Sequence, residues 1–282
     1  MTEGELFRVS GSREACELLG RFGRKAKIIA GGTDLMVAMN QREASPDVLI
    51  YIGESGLDYI KVEGDNLVIG AATTFAEIGR SKLVREKAPL LAEVVSHIGS
   101  PAIRNVGTIG GNLASASPAA DSATALLALG ASLKLVSQKG EQVVDSKGFF
   151  TGPEQTILKI DEMIQEVIIP AQGKGSKWAY RKVGKRKAQS LSVVSVAVCC
   201  RTETGKASDV RIALGAVAPT PMLAVKAATE IEGKPVDTSL IERVAKTAAE
   251  ETSPIDDVRG STWYRRRAVE AVTKQLLQQI FG

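Results

Sequence analysis

The chain has 282 residues, 44% of them hydrophobic, enough apolar material for two or three packed units. Its 36 Lys and Arg against 32 Asp and Glu leave a net charge of +4, a balance that calls for no nucleic-acid partner. Three cysteines without a CxxC pair argue against a zinc knuckle or an iron–sulfur site, and one histidine, His97, leaves little for a catalytic zinc or a His-based triad.

No apolar run reaches membrane-spanning length and no signal peptide opens the sequence, so a cytoplasmic setting is expected. Ser12 is placed to cap a short helix over 13–22. A strand over 26–30 runs directly into Gly31-Gly32-Thr33-Asp34, with a helix expected over 35–41. Strand, glycine turn and helix start together make a phosphate cradle, because the helix end offers unpaired N–H groups and a favourable dipole. A Gly pair also marks ordinary turns. The segment is neither a Walker loop nor a GxGxxG fingerprint. Asp34 suits a helix cap or a polar contact away from any diphosphate.

A buried strand is expected over 48–52. Segments 59–62 and 67–70 flank Glu63-Gly64-Asp65-Asn66 as a hairpin and open a second unit. Thr74 and Glu77 have capping-box spacing. A helical turn over 83–87 precedes a helix over 90–98 opened by Pro89, with His97 a surface or packing residue rather than a catalyst. The stretch 99–131 is then dominated by small residues and reads as a long turn cradle leading into a helix over 119–129. Its glycine turn carries Thr108 and Asn112 at either end, with Ser115 and Ser117 as further donors. Amides in such turns collect into an anion-binding nest, although a loop crossing a tightly packed spot has the same composition. Asp121 opens the helix as a cap, as an acceptor for ligand hydroxyls, or as both.

A second hairpin is expected over 131–136 and 141–144, then a strand over 166–169 stopped by Pro170 and a polar boundary at 173–177. The basic, aromatic-bearing stretch from Trp178 to Lys187 suits a flank facing an anionic cofactor better than a nucleic-acid patch. Strands over 191–200 and 210–217 follow, the first ending in Cys199 and Cys200 as buried thiols. Amphipathic helices are expected over 239–250 and 263–281, the second capped by Ser261. Asp256 and Asp257 lie beside Arg259, Arg265, Arg266 and Arg267, which favours ion pairs over a metal pair.

The two glycine elements are more specific together than apart. Ala30-Gly-Gly-Thr-Asp-Leu35 and Thr108-Ile-Gly-Gly-Asn112, followed by Ser117-Pro-Ala-Ala-Asp121, resemble the FAD-binding medium subunit of molybdenum hydroxylases, the xanthine dehydrogenase and carbon monoxide dehydrogenase flavoprotein family. Tyr180-Arg-Lys-Val-Gly-Lys-Arg186, Asp256-Asp-Val-Arg-Gly-Ser261 and Tyr264-Arg-Arg266 resemble its C-terminal domain. The resemblance spans nearly the whole chain. It implies an α+β fold: a two-part FAD-binding domain of the vanillyl-alcohol-oxidase/PCMH type, then a C-terminal α+β domain with an antiparallel sheet and helices. The parts are an N-terminal αβ subdomain over 1–55, a mostly antiparallel middle subdomain over 56–173 and the C-terminal domain over 174–282.

For the cofactor, the resemblance implies contacts from Lys27, Ile28, Ile29, Ala30, Gly31, Gly32, Thr33, Asp34 and Leu35 in the first motif, with Thr33 at the diphosphate. Thr108, Gly110, Gly111 and Asn112 would flank the diphosphate and ribityl chain, and Asp121 would be the ribityl partner. Ile168 and Ile169 would lie beside the flavin, and Arg181 or Lys182 near its ring. No residue of the chain is expected to act as catalytic acid, base or metal ligand. The implied partners are a large molybdopterin-binding subunit, a small [2Fe–2S] subunit and NAD+, oxygen or a quinone as acceptor, assembled as a dimer of heterotrimers. Carbon monoxide dehydrogenase types tend to carry a tyrosine soon after the Lys-Val/Ile-Gly element. Here Lys185-Arg186-Lys187 follows Gly184, which leans away from carbon monoxide dehydrogenase and toward xanthine-dehydrogenase-like or other aromatic-heterocycle enzymes, with a carbon monoxide dehydrogenase or aldehyde oxidoreductase medium subunit as the alternative. A stand-alone flavin oxidoreductase needs its own acid–base set, which the sequence does not show; a non-enzymatic nucleotide-binding scaffold is the remaining alternative.

Overall fold

Short apolar strands separated by a helix pair in parallel, because the chain must cross over to restart in the same direction. The first fifty residues do this. The computed structural model, which describes residues 4–186 and 189–282, begins with β1 (Glu5–Arg8), α1 (Ser12–Phe22), β2 (Ala26–Ile29), α2 (Leu35–Asn40) and β3 (Val48–Tyr51). Both outer strands pair parallel with β3, in the order β1-β3-β2. Ser12 does not cap α1: Gly11 holds the cap position and Ser12 is already helical. The wholly buried Ile50 and Ala15 anchor a core shared with Leu57, Ala72, Val136 and Met163 of the next unit.

The middle unit holds β4 (Ile60–Glu63), β5 (Asn66–Gly70), α3 (Phe75–Arg80), α4 (Lys82–Lys87), α5 (Pro89–Ser96), α6 (Pro101–Val106), α7 (Ile109–Ser115) and α8 (Asp121–Leu129). It then returns through β6 (Ser132–Ser137), β7 (Gly140–Asp145), the short pair β8 (Phe150–Gly152) and β9 (Gln155–Thr156), and β10 (Met163–Ile169). Its sheet runs β4-β5-β10-β6-β7 and is antiparallel throughout. Thr74 and Glu77 form the expected capping box at α3. The stretch expected as a long turn is instead two short helices. Ser100 caps α6, with Pro101 in its first turn, and Thr108 caps α7, so serine, threonine and proline placed helix starts where the glycines suggested loop.

The last unit contains β11 (Lys177–Gly184), β12 (Ser192–Glu203), β13 (Lys206–Gly215), β14 (Met222–Leu223), α9 (Val225–Ile231), α10 (Thr238–Glu250) and α11 (Thr262–Phe281). Its antiparallel sheet has the order β11-β12-β13-β14. Nine consecutive residues of β12, from Ser192 to Cys200, are buried. Ala197 and Cys199 join the core of the middle unit, while Val194, Val196, Val198 and Cys200 pack on the C-terminal helices. An unbroken apolar run is the mark of a strand covered on both faces. Every residue of α8 is buried, wedged between α5 on one side and β12 and β13 on the other. No helix among the described residues is long and apolar enough to cross a membrane.

Candidate functional site

The first glycine motif has free donors. Asp34 stands at the cap position of α2 but makes no capping bond, and accepts a hydrogen bond from the Ser115 hydroxyl at 2.7 Å instead. Among the described residues, the amides of Gly32, Thr33, Asp34 and Leu35 have no hydrogen-bond acceptor. Gly32 takes a left-handed φ of +69°, which a glycine adopts without a steric cost. Lys27 is exposed on β2, whereas Ile28 and Ala30 pack on the N-terminal core.

The second motif spends its donors internally. The Ile109 amide donates to the Thr73 carbonyl at 3.1 Å, the Gly110 amide to the Ala71 carbonyl at 2.9 Å, and the Gly111 amide to the Thr108 hydroxyl at 3.1 Å. It is therefore not an amide nest but the packed start of α7. Gly110 is required there because a Cβ would meet Ala71 Cβ at 2.6 Å and the Ala71 carbonyl oxygen at 2.7 Å. Gly31 is required for the same kind of reason: its Cβ would lie 1.8 Å from the Val106 carbonyl oxygen. That contact, with the Asp34–Ser115 bond, seats the first motif against α6 and α7.

A polar chain continues from α7 to the C-terminal sheet. Asn112 Oδ1 accepts from the Ser122 hydroxyl at 2.6 Å. Next to it, buried Asp121 accepts from Lys182 Nζ and from the Ser192 hydroxyl, each at 2.6 Å. Asp121 is thus the first residue of α8 and makes no side-chain cap; both its oxygens turn to β11 and β12. Lys182 also donates to the His97 carbonyl at 3.2 Å. Arg181, the alternative basic residue, alternates to the exposed side of β11. His97 ends α5 and places Nε2 2.9 Å from Glu93, an exposed pair in keeping with a surface residue.

Beside this chain the Tyr180 hydroxyl is buried near the Asp121 carboxylate. Burial, and then the nearby Asp121 carboxylate, push its pKa well above the ordinary phenol value, so it is a proton-bearing donor at neutral pH. A cavity of about 630 Å³ opens nearby, lined by His97, Gly99, Arg104, Lys182, Lys185 and Arg186 among others, with no carboxylate in the lining among the described residues. A second cavity, about 520 Å³, lies between α1 and the β6–β7 hairpin, away from both motifs. The free amides of the first motif fit a diphosphate, and the cationic lining of the cavity fits an anionic group.

The structure brings together Gly31, Asp34, Asn112, Asp121 and Lys182, and leaves Ile168 apart. Val167 and Ile169 point into the helix-covered core; Ile168 shares the other sheet face with Glu166, whose carboxylate accepts from the Tyr59 hydroxyl at 2.5 Å. Ser192, Ser122 and Arg104 carry no site reading in the sequence, whereas Tyr180 opens the motif that resembles the C-terminal domain. Arg104 follows the Ser100-Pro101 helix start and Ser122 lies ten residues from its partner Asn112, whereas Ser192 reaches Asp121 across 71 residues. Lys187 lies outside the described residues.

The family described as FAD binding domain in molybdopterin dehydrogenase matches residues 2–172, and the CO dehydrogenase flavoprotein C-terminal domain matches residues 178–280. The chain is 35% identical over 265 residues to the carbon monoxide dehydrogenase medium chain of Hydrogenophaga pseudoflava, covering 94% of this chain and 92% of the other. It is 31% identical over 260 residues to the xanthine dehydrogenase FAD-binding subunit of Escherichia coli O157:H7, covering 90% and 88%. The solved carbon monoxide dehydrogenase from Hydrogenophaga pseudoflava that lacks the Mo-pyranopterin moiety superposes with a TM-score of 0.95 at 34% identity, over 98% of this chain and 96% of that one. The PCMH-type FAD-binding fold expected from the motifs is thereby shown, and the chain belongs to the FAD-binding medium-subunit family of the molybdenum hydroxylases, as an oxidoreductase subunit with FAD as its cofactor.

Proposed function

We propose that the chain is the middle electron carrier of a three-component molybdenum hydroxylase in the cytoplasm. A large molybdopterin subunit oxidises the organic substrate, a small [2Fe–2S] subunit relays the electrons, and this chain passes them to NAD+ or another acceptor. Bound FAD supplies the exchange between one-electron and two-electron transfer. The observation that carries this reading is the seating of an amide-bearing turn against α6 and α7, with a polar chain running on through Asp121 to the C-terminal sheet. The amides of Gly32 to Leu35 and the Thr33 hydroxyl hold the diphosphate. Asn112 and the Asp121–Lys182–Ser192 group orient the ribityl chain, and the cations at the cavity favour an anionic reduced ring.

The division at residues 55 and 173 belongs to the same proposal. So does the assembly into a dimer of heterotrimers. Overall identity does not separate carbon monoxide from xanthine types, so the substrate is placed among aromatic heterocycles on the Lys185-Arg186-Lys187 sequence after Gly184. The test is anaerobic absorbance of the flavin band, with a heterocyclic substrate and each combination of subunits. Denaturation should first release about one non-covalent FAD per chain. The lone chain should leave substrate untouched, and the full complex should bleach. Bleaching of the lone, metal-free chain by a hydroxylation substrate would refute the division of labour.

A further inference from the structure

Arg265, only 2% exposed, is the largest of the fully buried side chains among the described residues. Its charge is out of reach of water, which is tolerable only where its donors find partners. One partner is Asp257, bound through Nη2. The other is the Ala216 carbonyl, 2.7 Å from Nη1. Asp257 does not depend on Arg265 for a counter-charge, because Arg259 binds its other oxygen at 2.6 Å. The bond to Ala216 is what Arg265 supplies and no other described side chain does.

Ala216 directly follows β13 and takes a left-handed φ of +63°. That conformation is disfavoured for any residue with a Cβ, and such strain persists only where the surroundings fix it. Here both peptide groups are held: the carbonyl by Arg265, and the amide by the Pro118 carbonyl at 2.8 Å. Pro118 lies in the connection over 116–120 between α7 and α8, three residues before Asp121. At the start of that connection Ala116 is left-handed too, at +48°, and its carbonyl accepts from the Glu154 amide at 3.0 Å. Gly215 bears on α8 itself, since a Cβ there would overlap Thr124 Oγ1 and Ser195 Oγ. The segment that joins Asn112 to Asp121 is therefore clamped from outside. We propose that Arg265 is a positioning residue for FAD: its guanidinium locks Ala216, Ala216 fixes Pro118, and Pro118 sets where α8 and its Asp121 begin. The role rests on the reading in which Asn112 and Asp121 orient the ribityl chain, and it needs no contact between Arg265 and the cofactor.

The test is a double-mutant cycle on the full chain, read by FAD titration of each apoprotein. Glycine adopts the left-handed state without strain, so Ala216→Gly removes the need for a lock. Arg265→Met should weaken FAD binding about ten-fold, less than the ~10²-fold of a full displacement near 1 Å. In the Ala216→Gly background the same substitution should cost only about two-fold. Equal losses in the two backgrounds overturn the inference, because a residue that serves stability alone has no reason to depend on the strain at Ala216. Unchanged affinity in a folded Arg265→Met protein overturns it as well. If Arg265→Met does not fold, hydrogen exchange of the wild type decides. Positioning and binding are reciprocal, so FAD should slow exchange of the amides over 215–217 relative to the apoprotein, and equal exchange in the two states overturns the inference. Asp121→Asn keeps the two failures apart. Full FAD affinity in that variant refutes the ribityl reading, whereas a loss there beside an unaffected Arg265→Met refutes the positioning role alone.

Discussion

Gly31→Ala tests the junction on which the site is built. The added Cβ would lie 1.8 Å from the Val106 carbonyl oxygen and 2.4 Å from its carbonyl carbon. A real Cβ stays beyond 3.0 Å, so the turn and the end of α6 must part by about 1.2 Å. Backbone faces backbone here, and no rotamer change relieves the clash. Overpacking of this kind costs about 1–3 kcal/mol. A displacement near 1 Å is enough to cost ~10²-fold in a positioned site. The motion carries the amides of Gly32 to Leu35 with it, so FAD affinity should fall roughly 10- to 100-fold, equivalent to about 1.4–2.7 kcal/mol. Gly32→Ala is the comparison. Its left-handed φ of +69° makes any side chain strained, by roughly 1–2 kcal/mol, but its nearest neighbour is the movable Met36 Cγ at 3.0 Å. FAD titration of each apoprotein by flavin fluorescence, with a melting curve beside it, gives the order. A folded Gly31→Ala protein with wild-type affinity would show that this contact does not position the turn.

Lys182→Met strands the buried Asp121 with Ser192 alone and should cost about 3–5 kcal/mol in urea unfolding, part of which Asp121→Asn restores in the double variant; purely additive losses would deny the ion pair its role. Burial pushes the thiols of Cys16 and Cys200 up to about 11 and that of Cys199 to about 12, so a thiol reagent at pH 8 should label none of them in the folded protein and all three after denaturation. Burial pulls the Asp257 carboxyl upward, but hydrogen bonds from Arg259 and Arg265 outweigh it and hold its pKa well below the carboxylate range. Its contribution is therefore complete above the unfolded value of about 3.9 and lost as pH falls below it, and Asp257→Asn should flatten acid unfolding in that window; an unchanged acid limb counts against the pairing.

Local signals carried much of the fold. The Thr74–Glu77 box, the two hairpins and the Ser261 cap follow from residues a few positions apart, and each stands where the spacing placed it. The apolar run of β12 shows a buried strand, though not that α8 covers one face and α11 the other. The stretch after Gly99 reads as turn because its glycines outnumber the residues that start helices. Ser100-Pro101 and Thr108 are helix starts, and the glycines inside α7 serve close packing rather than turning. β1 is not legible in the sequence, since four residues with one partly buried position carry almost no period. In the site, residue types were legible but their partners were not. Nothing near Asp121 in sequence announces Ser192 or Lys182, which arrive from strands 61 and 71 residues away.

The two glycine motifs look alike on paper and differ in physical role. In α7 the capping threonine and two carbonyls from the β5–α3 connection use up the first amides, so the glycines let helix and sheet approach. In α2 the residue at the cap position is an aspartate drawn away by Ser115, and the amides stay open. One motif is thus a platform and the other a set of donors fixed upon it, and Gly31 must be bare for the two to touch. From the platform, Ser122, Asp121 and Lys182 carry the fixed geometry on to the C-terminal sheet. A ligand lying along that line contacts elements of all three units. Its binding energy then opposes their separation, and by mass action cofactor affinity and the docking of the units become a single equilibrium.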